Sequence, residues 1–286
     1  MSFNYVKRRL NLFLDFQYRM LTARDRITPD FVVIGGQKCG TTSLYRYIKL
    51  HPNFVPPYKK GGTYFDANYS KGVAWYRAHF PLAGFMAEKR DAGMNVLTGE
   101  VATSYIHHPL AARRMAELQP SVKLFAVLRN PVERAYSHYQ HMVRTGREGL
   151  DFRSALEMED ERVEKSLGKA MAGDNDALRK FRDFSYKSRG RYAEQLERWF
   201  ECFDRSQFLI LRSEDLFEKP MWVCNQIYQF LDLPDQAQTS YENANPGRYS
   251  PADAQVLREL AEYFKPYNQR LYELVGTDFG WDARTY

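Results

Sequence analysis

The chain has 286 residues, 44% of them hydrophobic, which is enough to bury the core of one full α/β domain. Its 41 Lys and Arg against 35 Asp and Glu leave a net charge of +6, a balance that favours an anionic ligand but is too diffuse to point to nucleic acid. No apolar run reaches the length of a membrane span, and Cys39, Cys202 and Cys224 are too scattered for a metal site or a disulfide framework, so a soluble, cytoplasmic chain is expected.

The opening MSFNYVKRRLNLFLDF is not a signal peptide, because Asp15, Gln17 and Arg19 interrupt its apolar residues. Val6, Leu10, Phe13 and Leu14 form a helical stripe beside Lys7, Arg8 and Arg9. Two readings stay open: packing against the chain's own domain or a second subunit, and peripheral contact with an anionic membrane. Residues 1–28 are therefore read as an amphipathic arm and 29–286 as one domain of unknown oligomeric state.

Apolar runs at 31–34, 96–97, 123–128 and 208–211 read as buried strands, most followed by helical periodicity. Leu44, Tyr47 and Ile48 share one helical face, Leu196, Trp199 and Phe200 another, and residues 252–275 carry a longer pattern of the same kind. Pro131 suits a first helical turn. The charged stretch 157–188, containing GDND, reads as a solvated helix and a mobile loop outside the core. The alternation predicts an α/β fold with a central parallel sheet flanked by helices.

The stretch FVVIGGQKCGTTSLYRYIKL, residues 31–50, looks like a phosphate-binding loop with its lysine displaced. Gly35 and Gly40 have the separation of a nucleoside-triphosphate loop, but Thr41 follows the last glycine and Lys38 lies inside the loop. A helix starting near Thr41 would aim its N–H groups at an anion, with Thr41, Thr42 and Ser43 as further donors. An ATPase or kinase, the alternative reading, needs a magnesium-binding carboxylate after a neighbouring strand, whereas KLFAVL runs into Arg129. An arginine there answers a second anion. Two anion sites on one nucleotide describe an adenosine phosphorylated at 5′ and 3′, and Lys38 would then face the bridging oxygen of a 5′-phosphosulfate.

These residues resemble the sulfotransferases that use 3′-phosphoadenosine 5′-phosphosulfate (PAPS), in particular the branch of heparan sulfate N- and 3-O-sulfotransferases and their bacterial relatives. GGQKCGTTSLYRYIKLHP is similar to the family's 5′-phosphosulfate loop and LRNPVERAYSHYQHM to its 3′-phosphate motif. NYSKGVAWYRAHFP, GRYAEQLERWF and YFKPYNQRLYELVGTDFGW also match family segments. The resemblance implies sulfuryl transfer to a hydroxyl or amine of a small-molecule, lipid or carbohydrate acceptor, with no metal. It places Gly36, Lys38, Cys39, Gly40, Thr41, Thr42, Ser43, Arg129, Ser137 and Tyr192 at the nucleotide, and Arg248 in NPGRYSP on a loop closing over it.

One departure bears on mechanism. Where the family reads PP-L-K-K-E-I-H-F-F-D and uses the glutamate as base, this chain reads PPYKKGGTYFD, with Gly61 in its place. Proton removal could pass to Glu100, His107 or His108 in GEVATSYIHHP. Alternatively the acceptor is acidic or nucleophilic enough to need little help, or the protein binds nucleotide without transferring anything.

Overall fold

The computed structural model describes residues 3–236 and 251–286. Its centre is a four-stranded sheet in the order β2-β1-β3-β4, formed by β1 (Phe31–Gly35), β2 (Gly99–Val101), β3 (Lys123–Leu128) and β4 (Phe208–Arg212). All three pairings are parallel, with Val32 of β1 opposite Glu100 of β2 on one side and Leu124 of β3 on the other, and Leu124 opposite Phe208 of β4. Successive strand residues face opposite sides, and both sides are covered, which is why these strands read as unbroken apolar runs. Val32, Ile34, Leu124 and Ala126 pack with Leu196 and Trp199 on one face. Phe31, Val33, Phe125 and Val127 pack with Leu44, Ile48 and Ile227 on the other.

The strand order reverses between β1 and β3. At such a switch point the loops leaving the strands' C-terminal ends diverge and open a crevice. Into it run the connection from β1 to α2 (Thr41–Lys49) and the one from β3 to α6 (Pro131–Arg144). The helices between these two are α3 (Gly72–Arg77), α4 (Ala83–Asp91) and α5 (Ala111–Leu118).

Two expectations need correction. The second strand is not at 96–97 but at Gly99–Val101: Leu97 spends its backbone groups on Asn53 and Val55, at 2.9 and 2.8 Å, leaving the less apolar Gly99–Val101 to pair with β1. Gly99 fits there because the Phe31 ring occupies the space a Cβ would need, 2.2 Å away. The stretch 157–188 is not merely a solvated helix and a loop. It forms helices Glu159–Met171 and Asn175–Asp183, with Ala170, Ala177, Leu178 and Phe181 in a small core of their own, and it buries Glu159 and Tyr186.

The arm is helix α1 (Phe3–Leu21), docked through Phe16, whose ring lies 5.1 Å from His79 and 5.7 Å from Tyr58. Leu14 and Tyr18 on its other side are exposed. Among the described residues no helix is long and apolar enough to cross a membrane.

Candidate active site

The loop after β1 is held tightly at its base. Gly36 N–H donates to the Val127 carbonyl at 2.6 Å, tying the loop to β3, and a Cβ on Gly36 would crowd the Cys39 sulfur at 3.0 Å. Gly40, at φ 85°, caps α2 in a conformation that glycine adopts without strain. Lys38 adopts φ 69° without being glycine, an unfavourable backbone state of the kind that collects at ligand-binding sites. The helix behind the loop buries Leu44, Tyr47 and Ile48, so its N-terminus is fixed in direction.

The opposite wall comes from β3 and α6. Asn130 caps α6 by accepting from Val132 N–H at 3.0 Å, and Pro131 occupies the first turn. Arg129 is thereby set at the helix entrance, with Ser137 two turns in. Its guanidinium reaches Glu133 at 2.8 Å and the Lys38 carbonyl at 3.4 Å, while its own carbonyl accepts the Tyr192 hydroxyl at 2.9 Å. A cleft of about 640 Å³, within the size range of ligand sites, brings Lys38, Gly40, Thr41, Thr42, Ser43, Arg129 and Ser137 together. Lys60 adds a cation from the side, donating to Thr42 Oγ1 at 3.1 Å.

Glu100 is the middle residue of β2, opposite Val32 of β1. It is 2% exposed and accepts hydrogen bonds from Tyr105 Oη at 2.8 Å and Tyr76 Oη at 3.0 Å. Burial pushes its carboxyl up to about 7 against the opposing pull of those two hydroxyls, and Asp66 adds to the rise. A Cβ on Gly62 would sit 3.5 Å from Glu100 Oε1. The carboxylate therefore underlies the glycine segment.

A family profile described as "Sulfotransferase domain" matches residues 28–245. The chain belongs to the sulfotransferase domain family. It is 25% identical, over 88% of its length, to the "Membrane-associated sulfotransferase kil1" of Dictyostelium discoideum, and spans 66% of that protein, just under two thirds. It is 30% identical to the human "Heparan sulfate glucosamine 3-O-sulfotransferase 6", over 88% of this chain and 73% of that one. Among solved structures, the sulfotransferase from Alicyclobacillus acidocaldarius superposes with a TM-score of 0.68 at 28% identity, over 90% of this chain and all of that one (100%).

Not every residue expected at the sulfotransferase site faces the cleft. Gly36, Cys39 and Tyr192 stand behind it: Cys39 is fully buried, 3.9 Å from the Tyr192 hydroxyl, and burial pushes its thiol up to about 11. Their work is to shape the loop and fix Arg129. Arg248 lies outside the described residues. His107 stacks on Phe181 at 4.6 Å, and burial with neighbouring arginines holds it well below the ordinary histidine range. His108 is held down to about 3 by burial and Arg114, with its Nδ1 accepting from Leu110 N–H. Both are therefore neutral at physiological pH and weak as bases. Lys60 and His141 were not singled out from sequence, although both face this site. Lys60 stood in the matched lysine pair, and His141 lies one helical turn beyond Ser137.

Proposed function

We propose that the chain moves a sulfuryl group from PAPS to a hydroxyl or amine of a small-molecule, lipid or carbohydrate acceptor. The observation that carries this reading is the convergence of the β1 loop with Arg129 and Ser137 around one cleft. The donor set is cationic, hydroxyl and helix N-terminal, which fits a nucleotide bearing two separated anionic groups. PAPS supplies an activated sulfuryl group; the chain's residues orient it and manage charge and protons. Lys38 and the N-terminus of α2 neutralise the charge left on the 5′-phosphate as its bond to sulfur breaks. Arg129 and Ser137 hold the 3′-phosphate. Glu100 accepts the acceptor's proton as the new bond to sulfur forms, and a carboxyl poised near 7 suits that task at neutral pH. Its place beneath Gly62 supports it as the replacement for the glutamate absent at Gly61. The human 3-O-sulfotransferase relative supports a saccharide hydroxyl among the acceptors.

A thermal-shift comparison tests the donor site: adenosine 3′,5′-bisphosphate is expected to raise the melting temperature, and ATP with magnesium to do so far less. The reverse order would replace this reading with a triphosphate enzyme. Turnover of PAPS against an acceptor panel then separates a transferase from a binding protein. For the arm, exposed Leu14 and Tyr18 support peripheral contact with anionic membrane, in line with the Dictyostelium relative's name. Co-sedimentation with phosphatidylserine vesicles tests it, and a chain that stays in the supernatant would count against it.

A further inference from the structure

Helix α6 turns two sets of side chains in different directions. Glu133, Ser137 and His141 line the nucleotide cleft. One position on, Arg134 and His138 point into the interior and are 1% and 0% exposed. Arg189, on the turn Ser188–Gly190, and His107, after β2, are buried as well, and burial first, then the charges of Arg134 and Arg189, depress both His107 and His138, with Lys38 a lesser influence on His138.

Several of the group's buried nitrogens find no hydrogen-bond partner among the described residues. Arg134 donates from Nη2 to the Tyr186 carbonyl, but its Nε and Nη1 find no acceptor. Arg189 Nε, His107 Nε2 and both ring nitrogens of His138 are buried without partners too. The carboxylates that act on Arg189 are engaged elsewhere, Asp66 by the Ser104 hydroxyl and Asp183 by Arg147 at 3.2 Å. Nor can the Arg189 turn drift outward. Glu159 accepts from the backbone N–H groups of Lys187 and, at 2.7 Å, Ser188, while Gln195 Nε2 donates to the Arg189 carbonyl at 3.1 Å. Buried guanidinium groups without partners are strongly unfavourable. A fixed turn that keeps unpartnered N–H groups of two buried arginines in the interior suits an anion that arrives with a ligand.

We propose that Arg134, Arg189, His107 and His138 form a site for a compact oxyanion, such as a sulfate, phosphate or carboxylate, and that in catalysis this group belongs to the acceptor. The assignment to the acceptor rests on the sulfotransferase reading; the anion site does not.

The test is a thermal melt of the full chain with saturating adenosine 3′,5′-bisphosphate, titrated with sodium sulfate against sodium chloride at matched ionic strength. Sulfate is expected to raise the wild-type midpoint by about 2–4 °C more than it raises that of Arg189→Met, whose response measures the general salting effect. Equal responses overturn the site. So does a wild-type chain in which sulfate does no more than chloride, a result that does not depend on whether the variant folds. The source of the anion is read by the same melts with 4-hydroxybenzoate and the neutral 4-hydroxybenzamide. A shift from the carboxylate alone, lost in Arg189→Met, supports an acceptor group; a sulfate response without it overturns the acceptor assignment in favour of a free inorganic anion. Failure here is distinguishable from failure of the donor site, since a bisphosphate shift without a sulfate increment removes only this inference, and a sulfate increment without a bisphosphate shift removes only the nucleotide reading.

Discussion

Lys60 Nζ donates a 3.1 Å hydrogen bond to Thr42 Oγ1, joining the glycine segment to the first turn of α2. Burial, and then repulsion from Arg46, lower the lysine's hold on its proton, so this ammonium gains from an incoming anion. Lys60→Met is expected to lower kcat/KM for PAPS about 10–100-fold, the loss of one charge-assisted contact, while leaving the melting temperature of the free chain nearly unchanged. Steady-state kinetics beside a thermal melt would decide it, and unaltered kinetics would take Lys60 out of the site.

Lys38 occupies an unfavourable backbone state at the mouth of the loop. A group placed to stabilise charge that develops only during bond breaking affects turnover more than ground-state binding. Lys38→Ala should therefore reduce kcat by roughly two to three orders of magnitude, with a much smaller change in bisphosphate affinity. A loss confined to affinity would make it a binding residue only.

Arg129 is paired with Glu133 at 2.8 Å, and Glu133 also meets Arg284 at 2.7 Å. A 3′-phosphate held by Arg129 as proposed must compete with that carboxylate. Arg129→Ala is expected to weaken adenosine 3′,5′-bisphosphate at least about tenfold while leaving adenosine 5′-phosphate within about twofold. Calorimetric titration of both nucleotides measures the difference, and equal losses would place the arginine elsewhere on the ligand.

Gly61 is at φ 71°, and a Cβ there would lie 3.1 Å from the Val101 carbonyl. Any side chain meets both penalties, so Gly61→Glu should destabilise the fold by about 1–2 kcal/mol rather than restore a base. A melt combined with an activity assay checks this; a stable variant with raised turnover would show that the backbone tolerates the family's glutamate.

The parts of the candidate cleft that were legible in the sequence share a property: each sits where a strand's C-terminal end passes into a helix, or within two turns of that point, so local pattern fixes both position and direction. Lys38, Thr41, Arg129 and Ser137 are of this kind. Glu100 was visible only as a candidate, because its pairing with Gly62, Tyr76 and Tyr105 spans segments that only the folded sheet brings together. The 157–188 region misled for a related reason. Its high charge is real, but Glu159 is spent inside on backbone N–H groups, a use that composition cannot reveal.

The last prediction concerns the proton. Glu100 has a folded carboxyl near 7 against an ordinary 4.5, because burial disfavours its charged form by more than Tyr105 and Tyr76 can offset. The folded chain thus holds this proton more tightly than the unfolded chain does. Its contribution to stability is complete below pH 4.5 and is lost as pH rises from 4.5 to 7, by roughly 3 kcal/mol in total. Glu100→Gln cannot ionise, so the difference in stability between variant and wild type should move in the variant's favour over that window and stay constant above it. Catalysis runs the other way. A general base must be deprotonated, so wild-type turnover should climb with pH and level off above about 7, whereas Glu100→Gln should lose about 10²–10⁴-fold in turnover with bisphosphate affinity preserved and no inflection near 7. His107 and His108 are held far below that pH, so neither supplies such an inflection. If the rise near 7 persists in Glu100→Gln, or moves with the acidity of the acceptor used, the proton leaves by another route and the acceptor supplies its own nucleophile.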